Sequence, residues 1–171
     1  MNTDSELKLE IRCADWSNPK DGEAVVMLLN AYAEDHMGGE SPLSDYARAN
    51  LPAAMASTPG AFSAIGYLDG QPVALANCFT TLSTFACKPI VNIHDLAVLP
   101  DARGRRAGQQ MLAFVESEAK AIGACKITLE VLTGNDRARR SYEHFGFEAY
   151  TLDDTTGHAL FLQKGLLSIS Y

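Results

Sequence analysis

The chain predicts an α/β or α+β fold with a mixed sheet. Three observations carry that expectation. Short runs that alternate apolar and polar residues mark strands, apolar residues at helical spacing mark helices, and strand and helix alternate from residue 90 onward. The length, 171 residues, suits one domain with a sizeable core, so a single domain over 1–171 is expected.

The elements follow in order. "LKLEIRCAD" reads as an opening strand, and "PKDGEAVVMLLNAYAEDHM" as a helix with Val25, Leu28, Leu29 and Tyr32 on one face. "GGESPL" breaks it. "LSDYARANLPAAMAS" is a shorter helix with Pro52 as a kink or break. "GAFSAIGYLDGQPVALANCFTTL" reads as two strands joined by Asp69-Gly70, a common hairpin turn. "KPIVNIHDLAVL" is a long, nearly apolar strand, expected to be central. Met111, Leu112, Val115, Ala119 and Ile122 then form an amphipathic helix stripe that Gly123 ends. "CKITLEVLT" is a strand, and "NDRARRSYEHFG" a short helix with Asn135 as N-cap and Gly146 at its end. "FEAYTL" and "GHALFLQK" are expected as closing strands around a turn at Asp153 to Gly157.

Composition narrows the function classes. The chain is 47% hydrophobic and 20% charged, as soluble globular proteins are, and no apolar run is long enough for a membrane span. "MNTDSELKLE" is too acidic and polar for a secretory signal, so a cytoplasmic location is the default expectation. The formal charge of −7 argues against general nucleic-acid binding. Cys13, Cys78, Cys87 and Cys125 form no CxxC pair and no metal-ligand spacing with histidine, so reduced thiols and no metal site are expected. Cys78 and Cys125 lie in apolar runs and read as core.

Against this acidic background, "LPDARGRRAGQQML" (99–112) places Arg103, Arg105 and Arg106 between a strand and a helix. The first turn of a helix carries unpaired N–H groups and the positive end of its dipole. Gly104 and Gly108 let a ligand approach the backbone, and guanidinium forks suit phosphate. The stretch therefore reads as an anion site, although a solvated basic helix start has the same residues. Neither GxxxxGK[ST] nor GxGxxG occurs, which excludes the two commonest phosphate loops.

"VNIHDLAVLPDARGRRAGQQML" followed by "GNDRARRSYEHFGF" resembles the GNAT superfamily, the Gcn5-related N-acetyltransferases. That family's pattern is Arg/Gln-x-x-Gly-x-Gly/Ala opening the central helix, then Asn-x-x-Ala, a Tyr and Gly-Phe. Arg103, Gly104, Gly108, Asn135, Ala138, Tyr142, Gly146 and Phe147 match, within a motif region of about 90–150. Arg106 departs, standing where the motif has its first glycine. The resemblance implies a mostly antiparallel central sheet with a splayed parallel strand pair, flanked by helices. It implies acetyl-CoA as donor and co-substrate, with its pantetheine arm against the main chain of Leu96, Ala97 and Val98. Its pyrophosphate would lie at Arg103, Gly104, Arg105, Arg106, Ala107 and Gly108, and Asn135 and Ala138 would meet the arm. A homodimer is left open.

Acetyl transfer requires a neutral amine, a polarised thioester and a protonated leaving thiolate. An alkyl amine of pKa about 10.4 is neutral in only about one molecule in 2,500 at pH 7, so a positioned base helps by roughly 10²–10⁴. Tyr142 matches the family's acid. Proton transfer from a phenol near pKa 10 to a thiolate near 8.5 is uphill by about 2 kcal/mol at reference values, so the hydrogen bond must tighten as charge develops. His94 suits the base and Asp95 suits docking an ammonium, the two expected on opposite faces by strand alternation, with Asn92 on His94's face. Structural hydrogen bonds to loops account for the His-Asp pair as well. The acceptor region, "YAEDHMGGESPLSDY" with "TLSTFACKP", is acidic through Glu34, Asp35, His36, Glu40, Asp45 and Tyr46 and fits a small cationic amine. The resulting expectation is direct attack of a primary amine on the thioester. A non-catalytic acyl-CoA sensor and a peptide or protein N-acetyltransferase are the alternatives.

Overall fold

The structure is a computed structural model that describes residues 8–151, 153, 155 and 157–166. It divides into two units, Met1–Leu129 and Glu130–Ser170.

The first unit is built on five strands in sequence order: β1 (Glu10–Cys13), β2 (Ala61–Leu68), β3 (Gln71–Ser83), β4 (Lys88–Val98) and β5 (Lys126–Leu129). Neighbours run antiparallel except β4 and β5, which are parallel. This is the mixed, mostly antiparallel sheet expected. The β2–β3 turn is Asp69-Gly70, and both residues have positive φ (50° and 76°), as the tight hairpin turn that matches strand twist requires.

Three helices belong to this unit: α1 (Pro19–Ala33), α2 (Asp45–Ser57) and α3 (Ala107–Ala121). Ile65, Leu75 and Ala97 are register partners on one face of the sheet, and α1 packs Ala24, Val25 and Leu28 against them. Leu29 and Tyr32 cover the edge of that cluster. On the opposite face, a Cβ at Gly66 would come 2.9 Å from Met111 Sδ, so α3 lies close because Gly66 has no side chain. Met111, Leu112, Val115 and Ala119 are buried as their spacing requires.

Four expectations are corrected here. Pro52 neither breaks nor ends α2; the helix runs through it, and the ring seats against Gly22 of α1, where an added Cβ would lie 3.2 Å from it. Tertiary packing there offsets the lost helix hydrogen bond. Ile122 is half-exposed because it caps α3 rather than belonging to its buried stripe. Cys78 is buried but Cys125 is exposed, since β5 begins after it and only its N–H is used, by the Pro89 carbonyl. The fourth correction concerns the closing strands, in the second unit.

That unit carries α4 (Asp136–Phe145). Asn135 Oδ1 accepts from Ala138 N–H at 3.2 Å, and Gly146 ends the helix at φ 105°. The Tyr142 ring meets Phe147 edge-on at 5.9 Å. Among the described residues the two closing strands are reduced to one bridge, Thr151 with His158, and Leu160, Phe161 and Leu162 are exposed with no strand to cover them. Leu152, Asp154 and Thr156 of that expected hairpin lie outside the described residues.

Candidate active site

The site begins with a fault in the ladder between β3 and β4. Asn77 pairs with Asp95, but the next residue, Cys78, pairs with Ile93. His94 is therefore an extra residue on β4, a β-bulge. It cancels one step of strand alternation. Phe79, two residues from Asn77 and on its face, pairs with Asn92, so Asn92 and Asp95 share that face. His94 lies there too: its Nδ1 is 3.1 Å from Asn92 Oδ1 and its ring meets Phe79 edge-on at 5.3 Å. The expectation that His94 and Asp95 point to opposite faces is thus overturned by the bulge, while Asn92 does share His94's face.

The bulge also marks where β4 loses its second neighbour. The β4–β5 pairs run from Ile90 with Lys126 to Ile93 with Leu129. From Asp95 to Val98, β4 is held by β3 alone among the described residues. Leu99 N–H bonds the Val73 carbonyl, so by alternation Ala97 turns its N–H and C=O to β3. The outward groups on that bare edge are those of Leu96 and the N–H of Val98, which an extended ligand can pair as a strand would.

Asp95 is placed by a polar row that crosses three strands in register. The Ser63 hydroxyl donates to Asn77 Oδ1 at 2.5 Å, and Asn77 Nδ2 donates to Asp95 Oδ2 at 3.0 Å. Ser63 and Asn77 are 0% and 2% exposed, so both are desolvated and fully committed to this row. Asp95 Oδ1 has no partner among the described residues. Tyr32 on α1 feels the charge: burial raises its phenol pKa first, and the carboxylates of Asp95 and Asp35 raise it further. The sequence reading missed Ser63, Asn77 and Tyr32 as site residues. The signal for Asn77 was a polar residue two positions from Leu75, on the buried face of an apolar strand.

At its far end β4 runs through a short 3₁₀ turn (Pro100–Ala102) into α3. Arg103 is engaged within the protein. Its Nε donates to the Val98 carbonyl at 2.7 Å and its Nη2 to Asp35 Oδ2 at 2.9 Å. It is a strut between the end of β4 and the loop after α1. Asp35 is held below the usual carboxylate range by the Met37 N–H first and Arg103 second. That loop folds tightly back on α1, because a Cβ at Gly38 would lie 1.8 Å from the Tyr32 carbonyl.

The turn itself has the features of an anion cradle. Arg106 is left-handed, φ 61° and ψ 14°, so it keeps a glycine-like backbone where the motif has glycine. Among the described residues, the N–H groups of Gly104, Arg105, Ala107 and Gly108 have no hydrogen-bond acceptor. No acidic residue lies in the first turn of α3. A Cβ at Gly108 would meet nothing within 4 Å, so the space above the amides is open. Arg105 makes no ion pair among the described residues, which leaves its guanidinium available.

Farther away, Arg12 clamps the buried carboxylate of Asp21 with bonds of 2.5 and 2.7 Å, and Tyr67 lies beneath the guanidinium at 5.0 Å. This joins β1, α1 and β2 and bears on stability. Among the described residues no group of three or more His, Cys, Asp or Glu could hold a metal ion, and no helix is long and apolar enough to cross a membrane.

Comparison with known proteins shows the family and the fold. An uncharacterized N-acetyltransferase, YhfO, of Bacillus subtilis (strain 168) is 32% identical over 83 residues, which is 48% of this chain and 56% of that protein. The chain thus spans little more than half of that relative. The aminoglycoside N-acetyltransferase AAC(6')-Iy, solved with CoA, superposes with a TM-score of 0.70 at 20% identity over 92% of this chain and 95% of that one. A ribosomal-protein-alanine N-acetyltransferase from Brucella melitensis biovar Abortus 2308 does so with a TM-score of 0.68 at 14% identity, over 91% and 100%. At such identities the two structures show a shared fold. The sequence model of the acetyltransferase (GNAT) family matches residues 25–147, from α1 through the bulged strand and the α3 turn to the end of α4, and the chain belongs to that family.

Proposed function

We propose that this chain is an acetyl-CoA-dependent N-acetyltransferase acting on a primary amine, small and cationic, by direct attack of the amine on the thioester. One observation carries the reading: the bulge at His94 places a histidine and an aspartate on one face, beside a bare strand edge that leads into an open anion cradle. Acetyl-CoA supplies the activated acetyl group and a thiolate that can leave.

The residues divide the work. The main chain of Leu96 and Val98, on either side of Ala97, pairs the pantetheine arm. The amides of Gly104, Arg105, Ala107 and Gly108, with the Arg105 guanidinium, hold the pyrophosphate. Arg103 acts through its strut, fixing the end of β4. Asp95 Oδ1 receives the ammonium and His94 removes its proton. Tyr142 gives a proton to the thiolate, and Asn135 meets the arm while capping α4, beside Ala138. We read the chain as one cytoplasmic domain without nucleic-acid or membrane partners.

The test is an acetyl-CoA assay over polyamines, aminoglycosides, amino acids and peptide N-termini, read as free thiol. Thiol release that depends on one amine class is expected. CoA binding with no release over the whole panel would favour an acyl-CoA sensor, and release only with peptides would favour a protein substrate.

A further inference from the structure

We infer that Asn92 is a positioning residue that fixes the tautomer of His94, so that Nε2 is the atom that takes the proton. The inference rests on the reading of His94 as base. Asn92 on β4 lies opposite Thr128 on β5 in the parallel register. One end of its amide is 3.1 Å from Thr128 Oγ1 and 3.4 Å from the Thr128 carbonyl oxygen. A carbonyl oxygen only accepts, so that end must be the NH₂ group. The other end, Oδ1, then faces His94 Nδ1 at 3.1 Å. Oδ1 carries no proton, so Nδ1 must supply it. A neutral imidazole has one N–H, and with it on Nδ1 the lone pair is on Nε2. The opposite tautomer would set two lone pairs against each other.

Phe79 adds a second restraint. Its edge-on contact with His94, at 5.3 Å and 76°, limits rotation of the imidazole. Strand alternation alone puts Asn92 and His94 on one face, and the bulge brings Asp95 onto it. In the proton step an N–H bond of the ammonium breaks and an Nε2–H bond forms. Asn92 Oδ1 accepts from Nδ1–H before and after, so the ring becomes imidazolium without turning. The proton leaves to solvent once the amide product has gone.

The test uses the full-length ¹⁵N-labelled protein. Two-bond ¹H–¹⁵N spectra, recorded where the ring is neutral and assigned by loss of signal in His94→Gln, report which ring nitrogen bears hydrogen. The expected result is a protonated Nδ1 and an unprotonated Nε2. Asn92→Ala should shift the ring toward the Nε2–H form and lower kcat roughly tenfold to hundredfold, with KM for acetyl-CoA changed less than about twofold. Thr128→Val keeps the carbonyl acceptor and should keep the wild-type tautomer, which preserves a test if Asn92→Ala fails to fold. A wild-type ring protonated at Nε2 overturns the inference, as does an Nδ1–H form that persists in Asn92→Ala. A protonated Nδ1 in a protein that acetylates no amine supports the tautomer assignment and refutes the functional reading.

Discussion

Replacing Gly108 with glutamate should separate cofactor binding from folding, because the two respond with opposite signs. A Cβ at Gly108 meets no atom within 4 Å, so the substitution causes no clash. Glycine in a helix costs about 0.5–1 kcal/mol relative to a good helix former, and an acidic side chain in the first turn suits the dipole by about 0.3–1 kcal/mol. Folding stability should therefore hold or rise, by about 2 kcal/mol at most. Binding should fall, since the new carboxylate projects into the space where the pyrophosphate is proposed to lie. Like charges about 5 Å apart repel by about 3 kcal/mol at an effective dielectric of 20, and salt reduces this. An affinity loss of about tenfold to hundredfold is expected. The assay is calorimetric titration with CoA beside thermal unfolding. An unchanged CoA affinity in a protein with an unchanged or raised Tm would refute the placement of the phosphates.

Other outcomes follow from the same geometry. Arg106→Gly relieves a left-handed non-glycine residue, so stability should hold and CoA affinity should change less than tenfold; a larger loss, by titration, would mean that its guanidinium pairs a phosphate, worth about 1.5–3 kcal/mol. Tyr142→Phe keeps the ring against Phe147 while removing the hydroxyl, so kcat should fall by about 10² or more with acetyl-CoA affinity within a few-fold; full activity would make the tyrosine structural. Asp95→Asn should raise KM for the amine more than it lowers kcat. Asp21→Asn breaks the Arg12 clamp and should cost about 2 kcal/mol, or about 4–8 °C in Tm, because Arg12 is half-exposed and keeps its hydration. Arg12 lowers the Asp21 pKa, so the unfolded state binds more protons as pH drops. The clamp's stability is present above the unfolded value near 4 and fades below it, and Asp21→Asn should remove that part of the acid slope in a denaturation series.

The sequence disclosed whatever depends on local chemistry. The α3 stripe from Met111 to Ala119, the Asp69-Gly70 turn and the two caps of α4 are each set by residues within one or two turns of chain, and all four occur where the sequence placed them. What was illegible depends on partners. A bulge is defined by the opposite strand, so "NIHDL" alone could not show that His94 is the extra residue. That Arg103 also ties the end of β4 to the loop after α1 was hidden because its acceptor, Asp35, is 68 residues away. Asn77 and Ser63 are ordinary strand residues until register brings them into line with Asp95. Pro52 looked like a breaker because the glycine that receives its ring belongs to another helix.

The central claim is that the bare edge of β4 and the turn before α3 together hold the cofactor. Titration of the ¹⁵N-labelled protein with CoA, followed by amide shifts, tests it most directly. The account predicts the largest and saturable changes at Leu96, Ala97 and Val98 and at Gly104, Arg105, Ala107 and Gly108, with the Arg12–Asp21 clamp unmoved. Saturable changes that leave these seven amides in place, and move others, would contradict it.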